Sequence, residues 1–387
     1  MRGLTWFVVP LGAAGALAAY WFFANPAVEN ERAAGVSVAD ALGNGDTTGF
    51  ARAYAPRPFV FPQDHGPHPE YKHEWWYFTG NLESQEGRRF GFQLTIFRIA
   101  LTPKAPKRAS DWGTNQVYMA HFALSDMQAQ QFHYFERFSR GAAGLAGASS
   151  TPFRIWVGDW FVEKTNGVGL ALRLYAKERD VAVDLRLQSK KPIVPQGENG
   201  LSRKSAAAGN ASYYYSASRL STQGVISING QRINARGLSW LDREWSTSAL
   251  EEGQVGWDWF ALQLSDGRDI MFYRLRRQDG SADPFSSGSL IDVDGSKQTL
   301  SLRELEVKVS DYWQSPQTLA RYPSGWHLRI PQQQLDIDVT PLFVNQELNL
   351  SVRYWEGAVK VMGTSAGVPI KGLGYVELTG YGSSNAD

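Results

Sequence analysis

From residue 58 onward, apolar and polar positions alternate. Val181, Val183, Leu185 and Leu187 interleave with Ala182, Asp184, Arg186 and Gln188, and Leu335, Ile337 and Val339 with Asp336 and Asp338. Successive side chains of a strand point to opposite faces, so each run predicts a strand with one buried face. Asn229-Gly230, between Ile228 and Ile233, carries the type I′ hairpin signature, since both central residues of that turn need positive φ. Asp266-Gly267 and Asp294-Gly295 read similarly. No stretch after residue 58 keeps a helical period, and the expected class is all-β. Within 90–101, Phe90, Phe92, Leu94 and Ile96 share one face, then Phe97, Ile99 and Leu101 take the other. This slip of phase predicts a bulge near Ile96 and Phe97.

The N-terminus breaks the pattern. Residues 4–24 are apolar and uncharged, a run that at about 1.5 Å per residue would span a hydrocarbon core of about 30 Å. Arg2 precedes it, Tyr20, Trp21, Phe22 and Phe23 crowd its far end, and Glu29 and Glu31 follow, which places the N-terminus in the cytoplasm. Residues 1–25 are expected to be a transmembrane anchor or a signal peptide, and 26–57 a linker. The remainder is expected in the periplasm, tethered to the inner membrane or secreted.

A weak repeat organises the body. Trp75-Trp76-Tyr77-Phe78-Thr79-Gly80-Asn81-Leu82 is similar to Trp257-Asp258-Trp259-Phe260-Ala261-Leu262-Gln263-Leu264, and a short turn and another apolar strand follow each. The expectation is two related antiparallel β-barrels in tandem, 58–235 and 236–381. Loops are expected at 141–151, 204–212 and 281–289, the first two as candidate lids over a barrel mouth.

Composition then excludes chemistry. With 39 basic and 38 acidic side chains, the chain lacks the basic surface of a nucleic-acid binder. It has no cysteine, so disulfides, thiolate metal sites and a cysteine nucleophile are out. No G-x-S-x-G elbow, phosphate loop or dinucleotide fingerprint is present, which argues against a triad hydrolase. His65, His68 and His73 lie close together, but the intervening Pro67 and Pro69 and the absence of helical HExxH spacing count against a metal site, and neither metal nor cofactor is expected. The 14 Trp, 16 Tyr and 20 Phe, with 38 Gly and 18 Pro, favour strands and tight turns over helices.

The segment from His65 through Glu74-Trp75-Trp76-Tyr77 to Leu82 resembles the signature of the AttH/CrtC lipocalin-like family. Similar stretches run through Met119-Ala120-His121, Trp240-Leu241-Asp242-Arg243-Glu244-Trp245, Tyr354-Trp355-Glu356-Gly357-Ala358 and Gly374-Tyr375-Val376-Glu377. The resemblance covers about residues 58–381 and implies two lipocalin-like barrels. One branch holds carotenoid 1,2-hydratases, fungal relatives are hydratases and pericyclases, and bacterial members are labelled secreted hydrolases without an established reaction. Many are encoded beside ABC-type permeases, which implies a permease as partner.

Two functional readings follow. The first is a carrier that binds an elongated apolar, isoprenoid- or lipid-like molecule. The second is a cofactor-independent hydratase or isomerase acting on a carbon–carbon double bond. Alkene hydration needs an acid able to protonate carbon, which a buried carboxyl supplies, and aromatic faces to shelter the resulting cation. The candidate acids are Glu74, Asp242, Glu244 and Asp258. The candidate ligand contacts are Trp75, Trp76, Tyr77, His121, Trp245, Trp257 and Trp259, and His121, near the mouth of the first barrel, is also a candidate base. Alternation places Asp258 opposite to Trp257 and Trp259. Asp242-Arg243-Glu244 also reads as an ion-pair network between the barrels. The histidine that the carotenoid hydratases are thought to use near this segment is replaced by Arg243, which cannot serve as a base and argues against that particular activity.

Overall fold

The computed structural model describes residues 36–37, 46–105, 110–247 and 250–382. The expected anchor or signal at 1–25 and the first part of the linker lie outside them, apart from Val36–Ser37, which pairs in parallel with Val352 and Arg353. Among the described residues no helix is long and apolar enough to cross a membrane.

Two antiparallel sheets make up the body, as the alternation predicts. The first runs in the order Gln131–Arg140, Gln116–Asp126, Arg89–Ala100, His73–Ser84, Gln231–Ser246, Ala211–Ile228, Val181–Ser189, Ala171–Glu178, Trp160–Lys164, Phe153–Val157 and Ala146–Ser150. The second runs Lys297–Ser301, Ser287–Ile291, Asp269–Arg277, Gln254–Leu264, Val368–Thr379, Val352–Ser365, Leu335–Pro341, Arg321–Ile330 and Glu306–Gln314. Each coils into a near-closed barrel around its own core. Trp76, Phe78, Phe92, Leu94, Trp160 and Trp245 fill the first, and Phe260, Leu262, Trp326, Leu328, Trp355 and Val376 the second. Full burial of such side chains stabilises by roughly 1.5–3 kcal/mol each.

The repeat has a topological meaning. His73–Ser84 lies between its hairpin partner Arg89–Ala100 and the closing strand Gln231–Ser246. Gln254–Leu264 lies likewise between Asp269–Arg277 and Val368–Thr379. The two WW/WDW segments are equivalent strands of the two barrels. Asn229 and Gly230 both have positive φ and close the hairpin predicted there.

Two expectations are corrected. The sheets do not change over near residue 236. Gln231–Ser246 pairs with His73–Ser84 from Ala235 to Ser246, and the next strand of the second sheet begins only at Gln254. Nor is there a bulge at Ile96 and Phe97, because Arg89–Ala100 pairs without a break on both sides. The phase slip has another cause. Phe90, Phe92, Leu94 and Ile96 face the first barrel's core, while Phe97 faces the second barrel and packs with Met119, Leu348 and Tyr354. The strand is buried on both faces, so apolar residues appear on both.

Candidate active site between the barrels

The barrels meet along a seam of aromatic and polar side chains that includes Tyr77, Tyr214, Trp240, Trp259, Tyr273 and Tyr375. Asn81 Nδ2 donates to the Gly374 carbonyl across it at 3.0 Å, and Ser125 Oγ to Gln346 Oε1 at 2.8 Å. At one end the seam opens into a cavity of about 120 Å³. Its apolar walls are Trp75, Tyr77 and Phe97 from the first barrel and Trp257, Trp259, Tyr273 and Leu275 from the second. Its polar groups are Asp242, Glu244, Lys204, His73, Tyr214, Tyr354 and Glu377.

Period-two alternation decides which candidates meet here. Trp75 and Tyr77 face the cavity, whereas Trp76 and Trp245 point into the first core. Asp242 and Glu244 face it, and Arg243 between them turns inward to Glu74. The triplet is therefore not a network between the barrels. Glu74 itself is fully buried inside the first barrel, ion-paired to Arg98 and Arg243 and accepting from the His68 amide at 3.1 Å. Burial would raise its pKa, but the two guanidiniums hold it well below the carboxylate range, so Glu74 is a structural anion and not a proton donor to the cavity. Trp257 and Trp259 line the cavity, and Asp258 turns away, paired to Arg276 at 3.0 Å and accepting from the Tyr381 hydroxyl at 2.8 Å. His121 lies behind Tyr354 and does not reach the cavity wall. Of the expected lids, Ala146–Ser150 forms an edge strand remote from the cavity, while the 204–212 segment contributes Lys204, Ala211 and Ser212 to its wall.

The three histidines near the N-terminus go separate ways. His65 Nδ1 lies 2.6 Å from the Tyr215 hydroxyl. His68 sits between Asp64 and Glu74, stacked on Trp245 at 3.9 Å. His73 lines the cavity, and burial, with Lys72 and Arg98 nearby, pushes its pKa down to about 3. It is neutral, and its Nδ1 has no hydrogen-bond partner.

Two carboxyls in the cavity wall are poised near neutrality. Asp242 accepts from the Tyr214 hydroxyl at 2.6 Å, from Trp240 Nε1 at 2.7 Å and from Ser216 Oγ. Burial outweighs these three donors and, with Glu244 adding repulsion, raises its pKa to about 7. Glu377 accepts from Trp257 Nε1 at 2.6 Å and hydrogen-bonds Glu356, its cross-strand neighbour. Burial likewise lifts it to about 7. Glu356 is fully buried behind it and receives the Tyr77 hydroxyl at 2.6 Å. Burial and the adjacent Glu377 push Glu356 well above the carboxylate range, so it holds a proton and donates it to Glu377. Glu244 is neutralised by Lys204 at 3.1 Å, whose ammonium lies 4.1 Å from the Tyr273 ring centroid.

Sequence reasoning assigned no role to Glu356, Glu377, Tyr354 or Lys204. The motifs around Tyr354-Trp355-Glu356 and Tyr375-Val376-Glu377 carried a family resemblance, but nothing local shows that the two glutamates face each other across a strand pair. Chemically, the cavity offers two carboxyls able to give or take a proton at neutral pH, walled by rings that favour a developing cation.

The family model for AttH-like proteins matches residues 52–381. Dehydratase asqC of Emericella nidulans is 22% identical over 281 residues, 69% of this chain and 77% of that protein. Kievitone hydratase of Fusarium solani subsp. phaseoli is 23% identical over 239 residues, 60% of this chain and 66% of that one. Among solved structures, an AttH protein from Nitrosomonas europaea superposes with a TM-score of 0.76 at 34% identity, covering 86% of this chain and all of that one.

Proposed function

The chain belongs to the AttH-like family, and on that premise we propose that it is a cofactor-independent hydro-lyase that adds water to, or removes it from, a carbon–carbon bond in the cavity between the barrels. The observation that carries this reading is the pair Asp242 and Glu377, both raised to about 7 in one aromatic-walled cavity. The relatives named dehydratase and hydratase support it.

In the hydration direction the protonated member of the pair gives its proton to one alkene carbon. The cation at the other carbon lies against the faces of Trp75, Trp257 and Trp259, each worth about 0.5–2 kcal/mol. Water adds through oxygen, and its proton goes to the ionised member. Dehydration is the reverse, and one proton is consumed and one released in either direction. The working form is the pair with a single proton, most populated near pH 7, so kcat is expected to be bell-shaped around that value.

Size narrows the substrate. A cavity of about 120 Å³ compares with the roughly 150 Å³ that admits a benzene ring. At about 120 Å³ it suits a branched five-carbon unit, and the rest of an elongated molecule would lie outside. Carriage of a whole elongated ligand is thereby the weaker reading. A carboxylated reacting group is disfavoured beside Asp242, Glu244 and Glu377. The apolar 4–24 run supports an accompanying proposal that the cavity works on the outer side of a membrane, which fractionation with protease protection would test.

The test is turnover in ¹⁸O-water of monocyclic phenols bearing a five-carbon isoprenoid chain, and of the matching tertiary alcohols. Label should enter the alcohol, and Asp242→Asn and Glu377→Gln should each lower kcat about 10²–10⁴-fold with little change in KM. No exchange with any alkene, or variants as fast as the parent, would sink the proposal.

A further inference from the structure

Behind the cavity wall a second set of titratable groups leads outward. Tyr354 lines the cavity. Its hydroxyl lies 2.8 Å from His121 Nδ1 and accepts from Gln93 Nε2 at 3.2 Å. His121 has no exposed surface, and its ring stacks on that of Tyr354 with centroids 5.6 Å apart. His121 Nε2 lies 3.1 Å from Glu136 Oε1, and the Glu136 side chain is 16% exposed. Three elements hold the set. His121 and Glu136 are directly paired neighbours on Gln116–Asp126 and Gln131–Arg140, and Tyr354 comes across the seam from the second barrel. The other strand beside His121 presents only Thr95, its register partner, and Phe97. Glu136 and Tyr354 are therefore the titratable groups that face the imidazole.

Donor chemistry orients the chain of bonds. Burial, which would raise the Glu136 pKa, is outweighed by the hydrogen bonds from His121 and Ser351, so Glu136 is ionised and only accepts. The imidazole proton must then sit on Nε2, which leaves Nδ1 bare, and the Tyr354 hydroxyl donates into it. Burial depresses the His121 pKa, so the ring is neutral and free to take a proton. This is the order of a carboxylate–imidazole–hydroxyl triad, with a phenol facing the cavity.

We infer that Tyr354, His121 and Glu136 form a proton relay between the cavity and solvent. The inference rests on the hydro-lyase reading for the reaction it serves. Each turnover leaves the acid carboxyl without its proton and the base with one too many. A cavity proton is taken by the Tyr354 oxygen as the phenolic proton passes to His121 Nδ1. The imidazolium is held by Glu136 and returns to neutrality by releasing its Nε2 proton through Glu136 to water. Run in reverse, the same bonds deliver a proton. Tyr354 is the group that meets the cavity, and His121 and Glu136 act through it.

The tautomer is measurable without turnover. In ¹⁵N-histidine NMR of the full chain, with His121 assigned by the signal lost in His121→Gln, the ring should be neutral at pH 7 with its proton on Nε2. Tyr354→Phe should move the Nδ1 resonance. A proton on Nδ1, or no response to Tyr354→Phe, overturns the relay whatever the enzyme does. With a prenylated phenol that the protein turns over, Glu136→Gln should lower kcat at least about tenfold with KM within about twofold and shift the pH profile, and Glu136→Asp should restore part of the rate. An unchanged kcat and pH profile overturns it too. Should the parent protein turn over no alkene, the hydro-lyase reading fails, and the tautomer still decides the proton path.

Discussion

At the scale of single residues, opposite strategies for buried carboxyls coexist on adjacent strands. Glu74 has two guanidiniums, and Asp242 has only neutral donors. The consequence for stability has opposite signs. Asp242 keeps its proton up to about pH 7 when folded and only to about 3.9 when unfolded, so the folded state binds more protons between those values and loses stability as pH rises through them. Asp242→Asn should remove that loss. The stability advantage of the variant should be small near pH 4 and grow towards pH 8, reaching at most about 4 kcal/mol in denaturant unfolding and less where the amide nitrogen meets the donors of Tyr214, Ser216 and Trp240. Glu74 behaves oppositely, because its depressed pKa contributes stability at neutral pH that is lost as pH falls below the unfolded value. Glu74→Gln would leave Arg98 and Arg243 buried without a counter-charge. It should cost about 3–5 kcal/mol in denaturant unfolding and leave the turnover of the folded fraction unchanged.

At the scale of elements, the double burial of His73–Ser84 and Arg89–Ala100 is what makes a site. Their inner faces fill the first barrel, and their outer faces carry Trp75, Tyr77, Thr95 and Phe97 to the cavity. How closely the barrels approach depends on small residues. A Cβ on Gly91 would lie 2.4 Å from the Tyr375 hydroxyl and 2.8 Å from the Ala358 Cβ. Gly91→Val should wedge the sheets apart, destabilise by about 1–3 kcal/mol and raise KM, since the two walls of one cavity would no longer keep their spacing. A Tm and KM equal to the parent's would refute this.

At the scale of the molecule, the barrels are joined by buried charge as well as rings. Asp269 of the second sheet is fully buried and receives Lys191 Nζ at 2.7 Å, Ser218 Oγ at 2.9 Å and Arg219 Nε at 3.1 Å, all from the first-sheet half of the chain. Removing one partner of such a cluster leaves the others uncompensated. The two barrels should therefore melt in one calorimetric transition, and Asp269→Ala should lower its midpoint and cut turnover, although the residue lies outside the cavity lining. Two resolved transitions in the parent protein would show that the seam does not couple them.

The alternation of apolar and polar positions determined the all-β class, the Asn229-Gly230 hairpin and the twin long strands, because a strand's period of two is a local property. It also decided that Asp258 would turn away from Trp257 and Trp259, as it does. The candidate site was legible in part. Trp75, Tyr77, Asp242, Glu244, Trp257 and Trp259 reach the cavity, while Glu74, Trp76, Trp245, Asp258 and His121 sit behind its walls. Which face of a strand is the inside of a barrel and which meets a second barrel is not written in its period, since both faces of Arg89–Ala100 are buried. Only the docking of the barrels put Glu356 and Glu377, more than a hundred residues from Asp242 and Tyr77, into one desolvated space. That desolvation, a property of packing rather than of sequence, turns Asp242 and Glu377 into groups that exchange protons near pH 7.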